Sequence, residues 1–224
     1  DQGYAMLAVA YFGQPGLPKD LDRIALEGVH DAIVAASSRD GVDGRCVALI
    51  GGSKGAELAL LLASRYPDID AVAAIVPGSA VFVGHTQAFT TSSFSHRGEP
   101  LPFVPMPWSA TGALIAGDMR TVFDHMIADA DAVARAAIPV ERINGPVFLL
   151  SATRDELWDS MGMSEAMMAR LAAQGFAWPY EHVAIDGGHT EPTRHLDRVR
   201  DFLDRHFKPR TASGCAPQER ADRA

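Results

Sequence analysis

The sequence predicts an α/β protein with a mostly parallel sheet and helices on both faces. Short runs of β-branched and aliphatic residues alternate with stretches whose apolar residues have helical spacing. One predicted helix, residues 56–66, is apolar on almost every side, as expected for a helix packed in the middle of an α/β sandwich. This alternation is typical of βαβ units, in which helices connect parallel strands. We expect one domain over residues 1–208, followed by a disordered tail over residues 209–224.

The elements follow from local patterns. Predicted strands cover residues 5–12, 46–50, 71–76, 147–151 and 183–185. Predicted helices cover residues 21–38, 56–66, 120–137 and 194–207. Glycines close the first helix, and Pro67 ends the second.

Composition excludes several classes of protein. Of 224 residues, 47% are hydrophobic and 21% are charged, so the chain can bury a core and is not disordered overall. The net charge of −8 opposes a phosphate backbone, so we expect no nucleic-acid partner. We also expect no membrane partner, because no apolar stretch is long enough to span a bilayer and the N-terminus does not resemble a signal peptide.

The two cysteines are far apart in the sequence. Cys46 lies in an apolar run, whereas Cys215 lies in the polar tail. Such a pair predicts neither a disulfide framework nor a metal cluster. We therefore expect a reducing, cytoplasmic setting.

A G-x-S-x-G motif lies between a predicted strand and the all-apolar helix, as Gly51-Gly52-Ser53-Lys54-Gly55. A sharp strand-to-helix turn would lift the Ser53 hydroxyl above the sheet edge, with glycines where a Cβ atom has no room. The backbone N–H of Lys54 would then point at a developing oxyanion. The Lys54 side chain would face either substrate phosphates or solvent, and Glu57 would favour the positive end of the helix dipole.

A serine nucleophile requires a histidine base and a carboxylate that orients it. Asp155 follows the strand at 147–151, and His189 follows the strand at 183–185, so both lie just beyond the carboxyl ends of strands. The predicted triad is Ser53, Asp155 and His189. Glu156 and Asp159 are rivals for the acidic position.

The segment 79–112 is long for a connection and contains five aromatic residues and four prolines. A surface loop is one interpretation. The other, which we favour, is a lid that lies over Ser53 and shapes an apolar pocket, with Phe103 and Trp108 as substrate-binding residues.

Five separated phrases resemble one family. They are GYAMLAVAY from Gly3, GSKGAEL from Gly52, GEPLP from Gly98, IPVERI from Ile138 and GHTEP from Gly188. Over residues 3–207 the chain is similar to the C-terminal catalytic domain of the acyl-CoA thioesterase and bile acid-CoA:amino acid N-acyltransferase family. The resemblance implies an α/β-hydrolase fold and a triad at Ser53, Asp155 and His189. It also implies attack on an acyl thioester with coenzyme A as leaving group, and a serine rather than a cysteine nucleophile implies hydrolysis.

Members of that family have further segments before the point that corresponds to the start of this sequence, including a strand and a Gly-rich loop that supply a second oxyanion donor. We therefore expect a sheet that lacks its N-terminal strands. No second donor is identified by the residues, although the loop at residues 12–16 is one candidate. Loss of such a donor typically lowers a rate by about 10² to 10³.

The expected function is hydrolysis of an acyl thioester through an acyl-serine intermediate, with no metal or organic cofactor. The residues leave open a carboxylesterase or a dienelactone-hydrolase-like enzyme. They also leave open a non-catalytic relative that binds an acyl ligand or a partner protein.

Overall fold

The computed structural model of the protein describes residues 3–215. Its strands are β1 (Ile24–Ala25), β2 (Ala48–Gly52), β3 (Ala71–Ile75), β4 (Phe94–His96), β5 (Glu99–Pro100), β6 (Val147–Ala152) and β7 (Tyr180–Ile185). Its helices are α1 (Leu26–Ser37), α2 (Lys54–Arg65), α3 (Thr111–Ala116), α4 (Met119–Ile127), α5 (Ala130–Ala136), α6 (Ser160–Ala173), α7 (Leu196–His206) and α8 (Lys208–Thr211). None of the described helices has the length and apolar character needed to cross a lipid bilayer.

The main sheet has the strand order β2-β3-β6-β7, and every pair in it is parallel. The two central strands, β3 and β6, are buried along their whole length. Alternate residues of β3 face opposite layers: Val72 packs in the cluster that contains α2, whereas Ala73 packs in the cluster that contains α7. The prediction of a parallel sheet covered by helices on both faces is confirmed.

Four of the five predicted strands correspond to β2, β3, β6 and β7, with shifted ends. The predicted helix at 120–137 is instead two helices, α4 and α5. The reason is a new helix start at Asp129, whose side chain accepts a hydrogen bond from the Ala132 N–H at 2.9 Å.

The predicted strand at residues 5–12 is wrong. In the described part of the chain no strand pairs with this segment, and Met6 is 87% exposed. A strand needs a hydrogen-bonded neighbour, and the apolar run alone does not supply one. Tyr4 contacts α7 through a 2.9 Å hydrogen bond to Asp204, and Tyr11 packs against the core. As a result β2 is an edge strand, with Ile50 47% exposed.

The segment 79–112 is more ordered than a plain loop. It contributes β4 and β5 to a small sheet of order β1-β4-β5. Two of its aromatic residues, Phe82 and Phe94, are among the largest fully buried side chains. Part of this segment therefore belongs to the core.

The expectation for the cysteines is wrong, and the expectation of a disordered tail does not hold over residues 209–215. Cys46 and Cys215 form a disulfide, with their Cα atoms 5.4 Å apart and a sequence separation of 169. Helix α8 and the residues up to Cys215 are folded, so the described part of the tail, residues 209–215, is ordered. The remainder, residues 216–224, lies outside the described residues. The disulfide removes the observation on which the expectation of a reducing setting depended.

We predict that Cys46→Ser with Cys215→Ser destabilises the fold by on the order of 4 to 5 kcal/mol, because the bridge closes a very long loop in the unfolded chain. Guanidinium denaturation with and without dithiothreitol measures the effect. The double variant serves as its own control, since its stability should no longer respond to reductant. Equal stability of the oxidised and reduced native chain would contradict a stabilising role.

Candidate active site

Ser53 occupies the turn between β2 and α2, at the carboxyl edge of the sheet. Its backbone has φ 54° and ψ −122°, a strained conformation for a residue with a side chain. The Ser53 N–H donates to the carbonyl oxygen of Ile75 at 2.8 Å, which extends the pairing with β3 into the turn. The predicted strand-to-helix turn is confirmed.

The glycines of the motif have unequal roles. A Cβ atom on Gly51 would lie 2.1 Å from the carbonyl oxygen of Gly55, so this position has no room for a side chain. A Cβ atom on Gly55 would lie 3.7 Å from the Tyr11 hydroxyl, which is ordinary contact, and one on Gly52 would meet nothing within 4 Å. Lack of room for a Cβ atom therefore explains why position 51 is glycine, but it does not explain the glycines at positions 52 and 55.

The structure brings the three predicted triad residues together. The Ser53 Oγ lies 3.0 Å from His189 Nε2. On the other side of the ring, His189 Nδ1 lies 2.8 Å and 3.0 Å from the two carboxylate oxygens of Asp155. This network assigns the ring proton to Nδ1, which leaves Nε2 free to accept the Ser53 proton. Asp155 and His189 are both buried, whereas Ser53 is partly accessible.

The loop around Asp155 is organised to hold a carboxylate. One carboxylate oxygen accepts the N–H of Leu157 at 3.0 Å and that of Trp158 at 3.3 Å, and Ser160 donates a further hydrogen bond. Burial raises the pKa of Asp155, but the hydrogen bonds from His189, Ser160 and Leu157 outweigh it and hold the pKa below its usual value. Asp155 is therefore charged at neutral pH.

Two charged residues near the triad have positions that the sequence did not predict. Glu156, a rival for the acidic role, instead accepts the backbone N–H of His189 at 2.8 Å. Arg120 donates to the Asp155 carbonyl oxygen at 3.2 Å and pairs with Asp124. For Glu156, the only sequence signal of a role near the site was its position next to the predicted acid. Nothing in the sequence indicated such a role for Arg120.

An aromatic cluster of Phe82, Phe123 and Trp158 lies beside the histidine. The Trp158 ring makes an edge contact with the His189 ring at 5.4 Å between centroids. Its Nε1 donates to the carbonyl oxygen of Val76 at the end of β3, at 3.2 Å. The cluster is held together by edge contacts of Phe123 with both other rings. These contacts fix one wall of the site.

Lys54 is the first residue of α2. No hydrogen bond among the described residues uses its backbone N–H. It is therefore free to serve as the predicted oxyanion donor at the positive end of the helix dipole. The loop at residues 12–16 was a candidate source of a second donor. Within it, the N–H of Gly13 is already donated to the Pro18 carbonyl oxygen at 2.7 Å.

The Lys54 side chain faces neither solvent nor an open site. It is buried, and its Nζ lies 2.6 Å from the carboxylate of Glu57, which is itself fully buried. The other Glu57 oxygen accepts the N–H of Phe82 at 3.2 Å. Burial lowers the pKa of Lys54 and raises that of Glu57, and their mutual attraction opposes both shifts. Both sequence interpretations of Lys54 are therefore wrong, and Glu57 does more than complement the helix dipole.

The two residues predicted to bind substrate are buried to very different extents. Trp108 is 92% exposed, in a short 3₁₀ turn at Trp108–Ala110. Phe103 is half-buried against the core. Among the described residues, no ring contact joins either of them to His189. Their role in substrate binding stays a prediction.

Among the described residues, one group of three side chains has the spacing of metal ligands, namely Cys46, Asp70 and Cys215. Both sulfur atoms are used by the disulfide, and the Arg210 guanidinium lies 3.8 Å from the Asp70 carboxylate. A disulfide does not offer the thiolates that a soft metal prefers. This group does not fit a metal ion in the oxidised chain.

The parallel sheet, the strained serine turn and the Ser-His-Asp arrangement define the α/β-hydrolase fold. Solved structures agree on the fold. A puromycin-hydrolysing peptidase of Mycobacterium tuberculosis superposes with a TM-score of 0.51 at 14% identity, covering 83% of this chain and 26% of that chain. An esterase of Pyrococcus furiosus superposes with a TM-score of 0.50 at 15% identity, covering 80% of this chain and 61% of that chain.

Residues 24–192 match the family described as BAAT / Acyl-CoA thioester hydrolase C terminal, so the chain belongs to this family. Human acyl-coenzyme A thioesterase 1 is 30% identical over 190 residues, which cover 84% of this chain and 43% of the relative. Mouse acyl-coenzyme A thioesterase 2, mitochondrial, is 28% identical over 180 residues, which cover 78% of this chain and 36% of the relative. The chain thus spans less than half the length of these relatives.

We predict that Gly51→Ala destabilises the protein by on the order of 3 kcal/mol, because the new methyl group would overlap the Gly55 carbonyl oxygen. The matched variant Gly55→Ala should change stability by no more than about 1 kcal/mol, since its methyl group has room and alanine favours helix. Urea denaturation compares the two. Equal losses would show that the steric argument for Gly51 fails.

We also predict that Lys54→Met destabilises the protein by about 3 to 5 kcal/mol, because it leaves the Glu57 carboxylate buried without a cation. The double variant Lys54→Met with Glu57→Gln should recover much of this loss, since a neutral amide still accepts the Phe82 N–H. Denaturant titration of the single and double variants measures the coupling.

The control for that experiment is an exposed pair, Arg200 with Asp201. Arg200→Met should change stability by less than about 1 kcal/mol, as is usual for surface ion pairs. If Lys54→Met lowers the free energy of unfolding as little as Arg200→Met does, the Lys54–Glu57 ion pair does not stabilise the fold as described.

Proposed function

We propose that the chain is a serine hydrolase that cleaves acyl thioesters, with acyl-CoA as substrate class, through an acyl-Ser53 intermediate. The observation that carries the proposal is the continuous hydrogen-bonded path from Ser53 Oγ through the His189 ring to the Asp155 carboxylate. Family membership supports it, as do curated relatives named acyl-coenzyme A thioesterases.

In the acylation step, Ser53 Oγ attacks the acyl carbon while its proton moves to His189 Nε2. The carbonyl oxygen becomes an oxyanion, to which the Lys54 N–H donates. The Asp155 carboxylate stabilises the imidazolium that forms and keeps Nδ1 protonated. When the intermediate collapses, the carbon–sulfur bond breaks and the thiol leaves with the proton from Nε2.

In deacylation, His189 Nε2 takes a proton from water, whose oxygen attacks the acyl-Ser53 carbonyl carbon. Collapse of the second intermediate returns the proton to Ser53 Oγ and releases the carboxylic acid. The edge contact of the His189 ring with Trp158 supports a fixed ring orientation through both steps, as does the hydrogen bond from the His189 backbone N–H to the Glu156 carboxylate. The products are a carboxylate and a free thiol.

The same triad geometry serves oxygen esters, so a carboxylesterase or dienelactone-hydrolase-like reaction uses the same residues. A thioester is favoured by the family and by the names of the relatives. A panel of acyl-CoAs and p-nitrophenyl esters of matched acyl length separates the two classes by their ratios of kcat/KM.

We predict that Ser53→Ala and His189→Ala each lower kcat for acyl-CoA hydrolysis by on the order of 10⁵-fold or more, because each removes a member of a unit that acts together. Asp155→Asn should lower kcat by on the order of 10⁴-fold, because it favours the wrong histidine tautomer. Release of free thiol, followed with a chromogenic disulfide reagent, measures the rates.

A fluorophosphonate probe supplies an independent readout. It should label Ser53 in the native chain, and the adduct should be absent from Ser53→Ala. If the native chain shows neither turnover nor labelling while Ser53→Ala still binds acyl-CoA, the chain is a non-catalytic binding protein and the hydrolase proposal is rejected.

A further inference from the structure

One tyrosine hydroxyl lies beside the first turn of α2, within the nucleophile motif. A Cβ atom placed on Gly55 would lie 3.7 Å from the Tyr11 hydroxyl oxygen. In a helix each Cα–Cβ bond tilts towards the helix N-terminus, so the Tyr11 hydroxyl lies over the N-terminal end of α2. The Lys54 N–H, which no hydrogen bond among the described residues uses, is at that same end.

The N-terminal segment reaches this position from the other end of β2. Near the start of β2, Tyr4 packs against the same cluster as Cys46 and Ala48, and its hydroxyl is hydrogen-bonded to Asp204. Beyond the end of β2, the Tyr11 ring is half-buried against the cluster that contains α2. The ring of Tyr11 is therefore held by packing, whereas its hydroxyl lies at the helix end.

The Tyr11 hydroxyl has a proton to donate and an open side. No hydrogen bond between described residues uses it, and, unlike the Tyr66 hydroxyl, it is not sealed from solvent. Burial raises the pKa of Tyr11, and the nearby Glu57 carboxylate raises it further. The hydroxyl therefore keeps its proton at neutral pH and can donate to an oxygen of a bound molecule.

The acid and the base reach Ser53 from other elements. Asp155 follows β6 and His189 follows β7, and both strands lie beyond β3 in the sheet. Tyr11 comes instead from a segment that pairs with no described strand. A carbonyl oxygen that gains negative charge needs hydrogen-bond donors already in place, and tyrosine hydroxyls are among the groups that serve as such donors.

We propose that the Tyr11 hydroxyl is the second oxyanion donor, which acts together with the Lys54 N–H on the carbonyl oxygen of the acyl group. The proposal rests on the hydrolase function proposed above. Tyr11 donates a hydrogen bond and keeps its own proton in both steps, while the Ser53 proton still moves to His189 Nε2. This assignment replaces the loop at residues 12–16 as the candidate source of the donor.

The test removes the hydroxyl and keeps the ring. Tyr11→Phe should lower kcat for dodecanoyl-CoA hydrolysis by about 10²- to 10³-fold, as is typical for loss of one oxyanion donor. KM should change by less than about threefold, because the hydrogen bond strengthens only as negative charge develops. The matched control is Tyr4→Phe, which removes a hydroxyl from the same segment together with its hydrogen bond to Asp204. Its kcat should stay within about threefold of the native value.

Further measurements separate an oxyanion donor from a residue that only supports the fold. A trifluoromethyl ketone of matched acyl length forms a charged tetrahedral adduct with Ser53, so its inhibition constant should rise by at least about tenfold in Tyr11→Phe. In the Ser53→Ala background, Tyr11→Phe should leave the dissociation constant of dodecanoyl-CoA unchanged. The urea midpoint of Tyr11→Phe should also match that of the native chain, because the hydroxyl makes no hydrogen bond within the described residues.

Two results would overturn the assignment and leave the hydrolase function intact. If native turnover is measurable and kcat of Tyr11→Phe stays within about threefold of it, another group supplies the second donor. If Tyr11→Phe weakens binding of the ketone and of dodecanoyl-CoA equally, Tyr11 acts on substrate binding or on the fold.

The hydrolase function fails in a different way. A native chain with neither turnover nor fluorophosphonate labelling rejects that function, and with it this role of Tyr11. If Ser53 is labelled without thioester turnover, and Tyr11→Phe slows the labelling, the donor assignment stands and the thioester substrate is rejected.

Discussion

The site depends on the strained turn at Ser53, which is held between the end of β2 and the start of α2. A backbone conformation of this kind costs on the order of 1 to 3 kcal/mol and persists only when its surroundings require it. Two features supply that requirement. The Ser53 N–H is bonded to the Ile75 carbonyl oxygen, and α2 is buried along nearly its whole length. Pairing with β3 and burial of α2 therefore stabilise the geometry that exposes the hydroxyl.

Two buried hydrogen-bonded pairs, each containing a carboxylate, flank this turn and have different roles. Asp155 and His189 lie on the side that faces the hydroxyl, where hydrogen bonds keep the carboxylate charged. Lys54 and Glu57 lie behind it and connect α2 to the backbone of Phe82. Because a buried charge without a partner is strongly unfavourable, each pair constrains its residues to one arrangement. In the proposed reaction the first pair supports proton transfer, whereas the second pair holds the helix and the segment after β3 together.

The C-terminal segment contacts the opposite end of the sheet, where the parallel strands begin. Arg210 contacts the backbone of Asp70, its guanidinium lies 4.1 Å from the Trp178 ring, and Cys215 is bonded to Cys46 just before β2. The strand that ends beside Ser53 is thus anchored at its start by covalent and electrostatic contacts. The Ser53 turn and the anchoring contacts lie at opposite ends of the same strand, so changes at one end can be tested with the other intact.

The sequence by itself determined the features that depend on local pattern and chain order. These include the parallel core strands, the strand-turn-helix motif at Ser53, and Asp155 and His189 beyond the carboxyl ends of their strands. Parallel strands end at one edge of a sheet, so that order already brings the three side chains together. Only the tertiary structure decided the unpaired state of residues 5–12, the disulfide, the Lys54–Glu57 pair and the position of Glu156. Each depends on which backbone or charge lies alongside after folding, and apolar periodicity does not specify that choice.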